Sequence, residues 1–327
     1  MKRFVFTCGD INGIGPEIVI KSLQQLTYND DIKLIYCCPK NVFTKSVGFL
    51  ENKIKYKAVA SIDEIANCKE KICVLDLGKA KIKYGEPTEV SGQVAYESIN
   101  KALDVLDANL ADAIITAPIS KLAFKMAGVD FPGHTELLGA RYKTEDFKMM
   151  FLSEAMSCAL VTIHEKLQDV PGLITEEKVE ETIKTVMATL KMDFGIDNPR
   201  IALLGLNPHA GEEGKIGREE IDIIEPVVKR YPKTCAGPFV PDAFFGTRRY
   251  QNFNMVIGMY HDQVLIPFKL LNFDNGVNFT AGLPIIRTSP DHGTAYDIAG
   301  KGLARQDSML EAVKWASVII EGREKKI

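Results

Sequence analysis

Arg3-Phe4-Val5-Phe6-Thr7-Cys8-Gly9-Asp10-Ile11-Asn12-Gly13-Ile14-Gly15-Pro16-Glu17 sets the architecture of the chain at its outset. Arg3–Cys8 is rich in apolar and β-favouring side chains and reads as a strand. Gly9, Gly13 and Gly15 permit a tight turn and a close backbone approach. Pro16 then falls in the first turn of a helix predicted over Pro16–Leu26, where its missing N–H costs nothing. The turn is not the GxGxxG dinucleotide fingerprint, because Ile18 stands where the third glycine would be. By itself the segment fits a plain strand–helix turn better than a ligand site.

The same alternation runs on along the chain. Strand patterns recur at Ile32–Cys37, Ile72–Leu75, Ala113–Thr116, Lys148–Leu152, Ala159–Ile163, Ile201–Leu206 and Met255–Met259. Helical patterns fall between and after them. Ser91–Leu110 carries Val94, Ala95, Ile99, Ala102, Leu103 and Leu106 on one face; Glu176–Leu190 follows a Thr175 cap; Gly217–Tyr231 and Asp307–Ile320 complete the set. This predicts an α/β protein, a two-lobed α/β/α arrangement around a mostly parallel sheet. The expected lobes are residues 1–130 with 290–327, and residues 131–289. The active site is expected in the cleft between them, beyond the carboxyl ends of strands.

The 327 residues carry 40 Lys and Arg against 43 Asp and Glu, with no basic run, which argues against nucleic acid as a partner. No apolar stretch is long enough for a signal peptide or a membrane span, so a cytoplasmic protein is expected. The seven cysteines are odd in number and form no CxxC pair, which excludes a disulfide framework and a cysteine zinc site as expectations.

Five motifs carry possible chemistry. The glycine turn is the first. In the second, Phe131-Pro132-Gly133-His134-Thr135-Glu136, a Pro-Gly turn opens a helix whose free N–H groups suit an anion; a plain helix cap is the alternative. The third is a set of histidines, His164, His209 and His261, each following a strand pattern. Three imidazoles would hold a divalent metal and leave positions for substrate oxygens; three satisfied histidines are the alternative. Asp242 and Asp262 are candidate further ligands or orienters of those imidazoles. The fourth comprises Lys269, Asn278 and Arg287, with Arg287 ending an apolar strand pattern over Gly282–Ile286. Two cations and an amide can cradle a phosphate or carboxylate, although ordinary surface charge reads the same way. The fifth, Thr288 to Gly302, is a long loop of small and polar residues, of the kind that binds a ligand, moves, or simply connects.

The segments GDINGIGPEI, ITAPISK, FPGHTELL, GLNPHAGEEGKIGREE, GPFVPDAFF, MYHDQVLIPFK and GVNFTAGLPIIRTSPDHGTAYDIAGKG together resemble the 4-hydroxythreonine-4-phosphate dehydrogenase family, in order, from the first strand to about Ala304. The opening and the HGTAYDIAGKG loop are also similar to the GDGIGPE turn and HGSAPDIAGKG cofactor loop of isocitrate and isopropylmalate dehydrogenases. That wider resemblance implies their fold and a nicotinamide site without GxGxxG. The family resemblance implies that His164, His209 and His261 are divalent-metal ligands brought together across a homodimer interface. It implies substrate contacts at His134, Thr135, Lys269, Asn278 and Arg287. Looser analogy with the wider group implies cofactor contacts at His292, Gly293, Thr294 and Asp297. This sequence departs from the family pattern at Ile11 and Asn12, where Pro and Ala are usual, and at Val264, where Gly is usual.

The resemblance further implies NAD or NADP as cofactor, with Zn, Mg, Co or Mn as the metal and zinc foremost. The substrate would be 4-hydroxy-L-threonine 4-phosphate. As a Lewis acid, the metal would stabilise the alkoxide as hydride leaves C3. The resulting 2-amino-3-oxo-4-phosphooxybutanoate is a β-keto acid that loses carbon dioxide to give 3-amino-2-oxopropyl phosphate for pyridoxine 5'-phosphate synthesis. The general base stays unassigned between a lysine and a metal-side aspartate. A 4-phospho-D-threonate or erythronate dehydrogenase of the same family is the nearest alternative, and a phosphate acyltransferase of similar fold is one from another class.

Overall fold

The computed structural model describes residues 1–50, 52–144 and 147–326. Its strands in chain order are β1 (Lys2–Thr7), β2 (Ile32–Cys38), β3 (Lys57–Val59), β4 (Ile72–Asp76), β5 (Ala113–Ile115), β6 (Lys148–Leu152), β7 (Cys158–Leu160), β8 (Ile201–Leu204), β9 (Cys235–Phe239), β10 (Met255–Gly258), β11 (Val277–Ala281) and β12 (Arg287–Pro290). The chain divides into two compact units. Unit 1 is Met1–Glu145 with Leu283–Ile320, and unit 2 is Asp146–Gly282 with Glu321–Ile327.

In unit 1 the strand order is β3-β4-β2-β1-β5-β12. Every neighbouring pair is parallel. Parallel strands covered on both faces become unbroken apolar runs, and Phe4-Val5-Phe6 and Leu34-Ile35-Tyr36 are fully buried. Helix Glu89–Asp107 begins with a reciprocal cap: Ser91 N–H donates to the Thr88 hydroxyl, and Thr88 N–H donates to Ser91 Oγ. Its Ile99 and Leu103 join Val5, Ile35 and Ile114 in one core. Helix His134–Tyr142 belongs to the same unit. Leu137 and Leu138 enter that core, and Arg141 reaches Asp104 and Asp107. The first segment of unit 1 therefore runs beyond residue 130. The chain re-enters at Leu283, itself a member of this core.

In unit 2 the order is β11-β6-β7-β10-β8-β9. β7, β10, β8 and β9 run parallel, while β6 is antiparallel to both β7 and β11. The core is aromatic, with Phe151, Phe244, Tyr250 and Phe268 buried together. Helix Glu176–Met192 starts at Thr175, whose hydroxyl accepts from Lys178 N–H.

Two local expectations are corrected. Gly282–Ile286 is not a strand: Gly282 is left-handed (φ 87°) and Pro284 has no N–H, so pairing with β5 begins in earnest at Arg287. The helix expected over Gly217–Tyr231 is shorter and not uniform: a π-type turn at Glu220–Ile224 runs directly into α-helix Glu225–Lys229. Pro226 supplies no donor to the preceding turn and widens the ladder there. No helix among the described residues is long and apolar enough to cross a membrane. All seven cysteines are free thiols.

Candidate active site

Within unit 2, β7, β10 and β8 are consecutive parallel neighbours, so their carboxyl ends lie side by side. His164 follows β7, His261 opens the helix after β10, and His209 lies in the turn after β8. The His164 and His261 ring centroids are 5.8 Å apart. The Asp262 carboxylate lies 2.7 Å from His261 Nδ1, the pairing that fixes tautomer and ring orientation in metal-binding histidines. Asp242, by contrast, is exposed in the first turn of helix Pro241–Gly246, where it accepts from Ala243 N–H at 2.8 Å.

Cross-links hold the strand ends in register. Gln263 accepts from Met259 N–H at 2.7 Å and donates to Gly205 C=O at 2.6 Å, tying the end of β10 to that of β8. The Thr162 hydroxyl donates to Met259 C=O at 2.7 Å and ties in the end of β7. Among the described residues of the single chain, no three His, Cys, Asp or Glu side chains gather closely enough to hold a metal ion. The structure brings His164 and His261 together and sets His209 at the neighbouring strand end. Paired imidazoles and an orienting carboxylate fit a borderline-soft divalent ion such as zinc.

The helix His261–Asn272 carries more than a histidine. A groove of about 370 Å³ is lined by His261, Asp262, Ile266, Lys269, Leu270 and Phe273. Lys269 thus shares a surface with His261. Val264 is fully buried in the aromatic core, so the bulk it adds is absorbed there. Asn278 on β11 has a buried Oδ1 with no hydrogen-bond partner. A buried acceptor left unmade costs about 1–3 kcal/mol, which a polar ligand would recover.

In unit 1, Arg287 begins β12 at 4 % exposure, and its Nε donates to Thr116 Oγ1 at 3.0 Å. Burial pulls the guanidinium pKa down to about 10, while the Glu136 carboxylate opposes that shift. His134 opens its helix behind Gly133, which offers no side-chain cap, and Thr135 follows it in the same first turn. His134 Nε2 is enclosed and has no hydrogen-bond partner. Burial, reinforced by the positive Arg287, holds its imidazole pKa well below the ordinary 6.5. A neutral imidazole, a buried guanidinium and an uncapped helix start together favour an anion.

The loop after β12 is braced from behind. Ile14 N–H donates to Thr294 C=O at 2.9 Å, and the Tyr296 hydroxyl donates to Asp10 Oδ2 at 2.7 Å. A Cβ on Gly13 would come within 2.7 Å of Thr294 O, so the opening glycine serves this close approach. Glu17 accepts from Ala304 N–H, and Lys21 donates to Gly302 and Ala304 carbonyls. His292, Gly293 and Asp297 remain exposed on the outer side. A loop fixed on one side and polar on the other fits a nucleotide held by hydrogen bonds.

Sequence reading did not single out Thr116, Asn207, Glu220, Gln263 or Tyr296, which support the candidate residues. All five stand inside the segments that carry the family resemblance, but nothing local marks them there as supports.

The family described as pyridoxal phosphate biosynthetic protein PdxA matches residues 30–316. The chain is similar to the 4-hydroxythreonine-4-phosphate dehydrogenase of Geobacter metallireducens, at 41 % identity over 96 % of this chain and 94 % of the relative. It is similar to that of Bacteroides thetaiotaomicron at 37 % identity, over 99 % and 90 % of the two chains. The crystal structure of 4-hydroxythreonine-4-phosphate dehydrogenase from Klebsiella pneumoniae superposes with a TM-score of 0.85 at 34 % identity, covering 98 % of this chain and 100 % of that one. Isocitrate dehydrogenase from Methylococcus capsulatus shares the fold alone, with a TM-score of 0.50 at 14 % identity over 99 % and 87 % of the chains.

Proposed function

The chain belongs to the PdxA family of pyridoxal phosphate biosynthetic proteins, and on that premise we propose that it oxidises 4-hydroxythreonine 4-phosphate with NAD or NADP and a divalent metal. The observation that carries this reading is the buried Arg287 beside the enclosed, unpartnered Nε2 of His134 at an uncapped helix start. That environment suits a phosphate dianion. Arg287 and His134 hold the phosphate, and Thr135 adds a donor in the same turn. A phosphate remote from the reacting carbon positions the rest of the substrate.

His164, His209 and His261 hold the metal, with Asp262 fixing the His261 ring. A divalent ion held there, zinc foremost, would supply polarisation of the substrate hydroxyl, and a bound nicotinamide would supply the hydride acceptor. Asp262 and Lys269 line the groove at His261 and are the two candidates to take the hydroxyl proton. Asn278 gives its buried Oδ1 to a donor on the substrate. His292, Gly293, Thr294 and Asp297 contact the nucleotide. The product ketone sits β to a carboxylate, which accounts for loss of carbon dioxide and formation of 3-amino-2-oxopropyl phosphate.

The working form is a homodimer whose second chain completes the metal site. What supports this is the apolar stripe Ile266, Leu270 and Phe273 beside His261, with Leu270 82 % and Phe273 85 % exposed. We place the protein in the cytoplasm, where a charged phosphorylated substrate is retained.

The test is reduced-nicotinamide formation by the purified protein with 4-hydroxythreonine 4-phosphate, NAD or NADP and a divalent metal, set beside 4-phospho-D-threonate. Turnover of the amino acid that stops on chelation and returns with zinc is the expected result. Turnover of the sugar acid alone would replace the substrate and keep the chemistry. No turnover of either would sink the reading.

A further inference from the structure

We propose that Glu220 is a positioning residue for His209, clamping a left-handed turn that presents this imidazole at the end of β8. The inference rests on the metal-site reading above and concerns how this chain builds one of its ligands.

Five consecutive residues, His209 to Glu213, have φ of 54°, 50°, 82°, 46° and 56°. Only Gly211 among them tolerates that region freely. In the other four the Cβ crowds the following carbonyl, so such a run persists only where its surroundings over-determine it. The surroundings here converge on Asn207, whose Nδ2 donates to Glu219 Oε2 at 2.7 Å as well as to Glu220, while among the described residues its backbone N–H is held by Glu220 alone. Glu220 is 2 % exposed; its Oε1 accepts from Asn207 N–H at 2.7 Å and its Oε2 from Asn207 Nδ2 at 3.0 Å.

Three glycines clear the room that this carboxylate and its partner need. A Cβ on Gly211 would lie 2.7 Å from Glu220 Oε2, and one on Gly205 would lie 3.0 Å from Glu220 Oε1. A Cβ on Gly217 would lie 2.2 Å from Asn207 Nδ2. Asn207 is the residue that enters the turn, and Ala210 N–H donates back to its carbonyl at 3.1 Å. Glu220 therefore fixes the entry of the bend that carries His209 and packs against its middle at Gly211. Gln263 grips Gly205 C=O from the helix that carries His261, so the same support is tied to the second histidine motif.

The experiment titrates cobalt(II) into the metal-stripped full-length protein and reads its d–d absorption, in wild type, Glu220→Gln, His209→Ala and the double variant. Gln keeps the size of Glu220 but turns an amide donor toward the Asn207 amide. Loss of a support of this kind weakens metal binding by about 10–100-fold. The expected result is that drop in E220Q with no further drop when it is added to H209A. Wild-type affinity in E220Q, or an equal loss with and without His209, would overturn the proposal. No cobalt band in the wild type would instead overturn the metal reading.

The turn itself is tested without metal by the exposed Glu212. E212G should raise the melting temperature of the metal-free protein and E212V should lower it. Equal effects would overturn the left-handed turn, whether or not E220Q folds.

Discussion

Arg287 is held in the folded protein at a cost, since burial, opposed in part by Glu136, lowers its pKa to about 10. Its replacement should therefore damage function more than stability. Arg287→Ala is expected to lower kcat/KM roughly 10- to 150-fold, the equivalent of about 1.5–3 kcal/mol for a hydrogen bond to a charged group. The melting temperature should move little, because a desolvated cation disappears along with its bond to Thr116. Unchanged kinetics would remove Arg287 from the site. His134 sets a pH dependence of stability. Its folded pKa lies well below 6.5, so the unfolded chain binds a proton that the folded site refuses. Above about pH 6.5 neither state is protonated there and the group is neutral to stability; as pH falls below 6.5 toward the depressed folded value, stability is lost. Denaturant melts of His134→Asn should show a shallower fall over that window, and an identical profile would contradict the shift. At this scale the histidines were legible because each follows an apolar run. Glu220 and Asn207 were not, because a buried carboxylate inside a polar stretch looks like surface.

The loop from Thr288 to Gly302 shows what an element gains from distant support. Its Tyr296 reaches Asp10, a residue 286 positions away in sequence. Burial raises the Asp10 pKa, and the Tyr296, Ser91 and backbone donors oppose that shift. Tyr296→Phe removes one donor from a buried carboxylate and frees one side of the loop. The expectation is a rise in the KM for NAD or NADP of about 3- to 10-fold with kcat little changed, equivalent to about 1 kcal/mol. Unaltered nucleotide affinity would detach this loop from cofactor binding. Elements whose sequence was a continuous apolar run, β1, β2 and β4 among them, were readable because parallel strands bury both faces. β12 was misread: Arg-Thr-Ser-Pro has no strand pattern, and its pairing in the sheet, with β5 among its neighbours, makes it one. β9 escaped notice because Gly237 and Pro238 interrupt it.

For the whole molecule, assembly is the property most open to test. Leu270 and Phe273, 82 % and 85 % exposed, form the apolar face on which the proposed dimer rests. Phe273→Glu, assayed by sedimentation velocity, should convert a dimer to monomers and lower metal affinity with it. A dimer that survives would move the interface elsewhere. The alternation of strands and helices announced the α/β class, and nothing in composition marked where one unit stops. The division depends on which core claims the helix His134–Tyr142, and that is decided by Leu137 and Leu138 meeting Ile99, Leu103 and their neighbours rather than by any local signal.

The last strand of unit 1, β12, is made more than half a chain after β5, the strand it pairs with. On a ribosome, at about 5–20 residues per second, β5 waits on the order of ten to thirty seconds for that neighbour. Unit 2 is nearly continuous in sequence, and it can be folding while unit 1 still presents an open strand edge. The newborn chain thus passes through a stage with one finished body and one sticky seam. That interval, rather than any weakness of the finished protein, is where chaperones would be needed and where misassembly would begin.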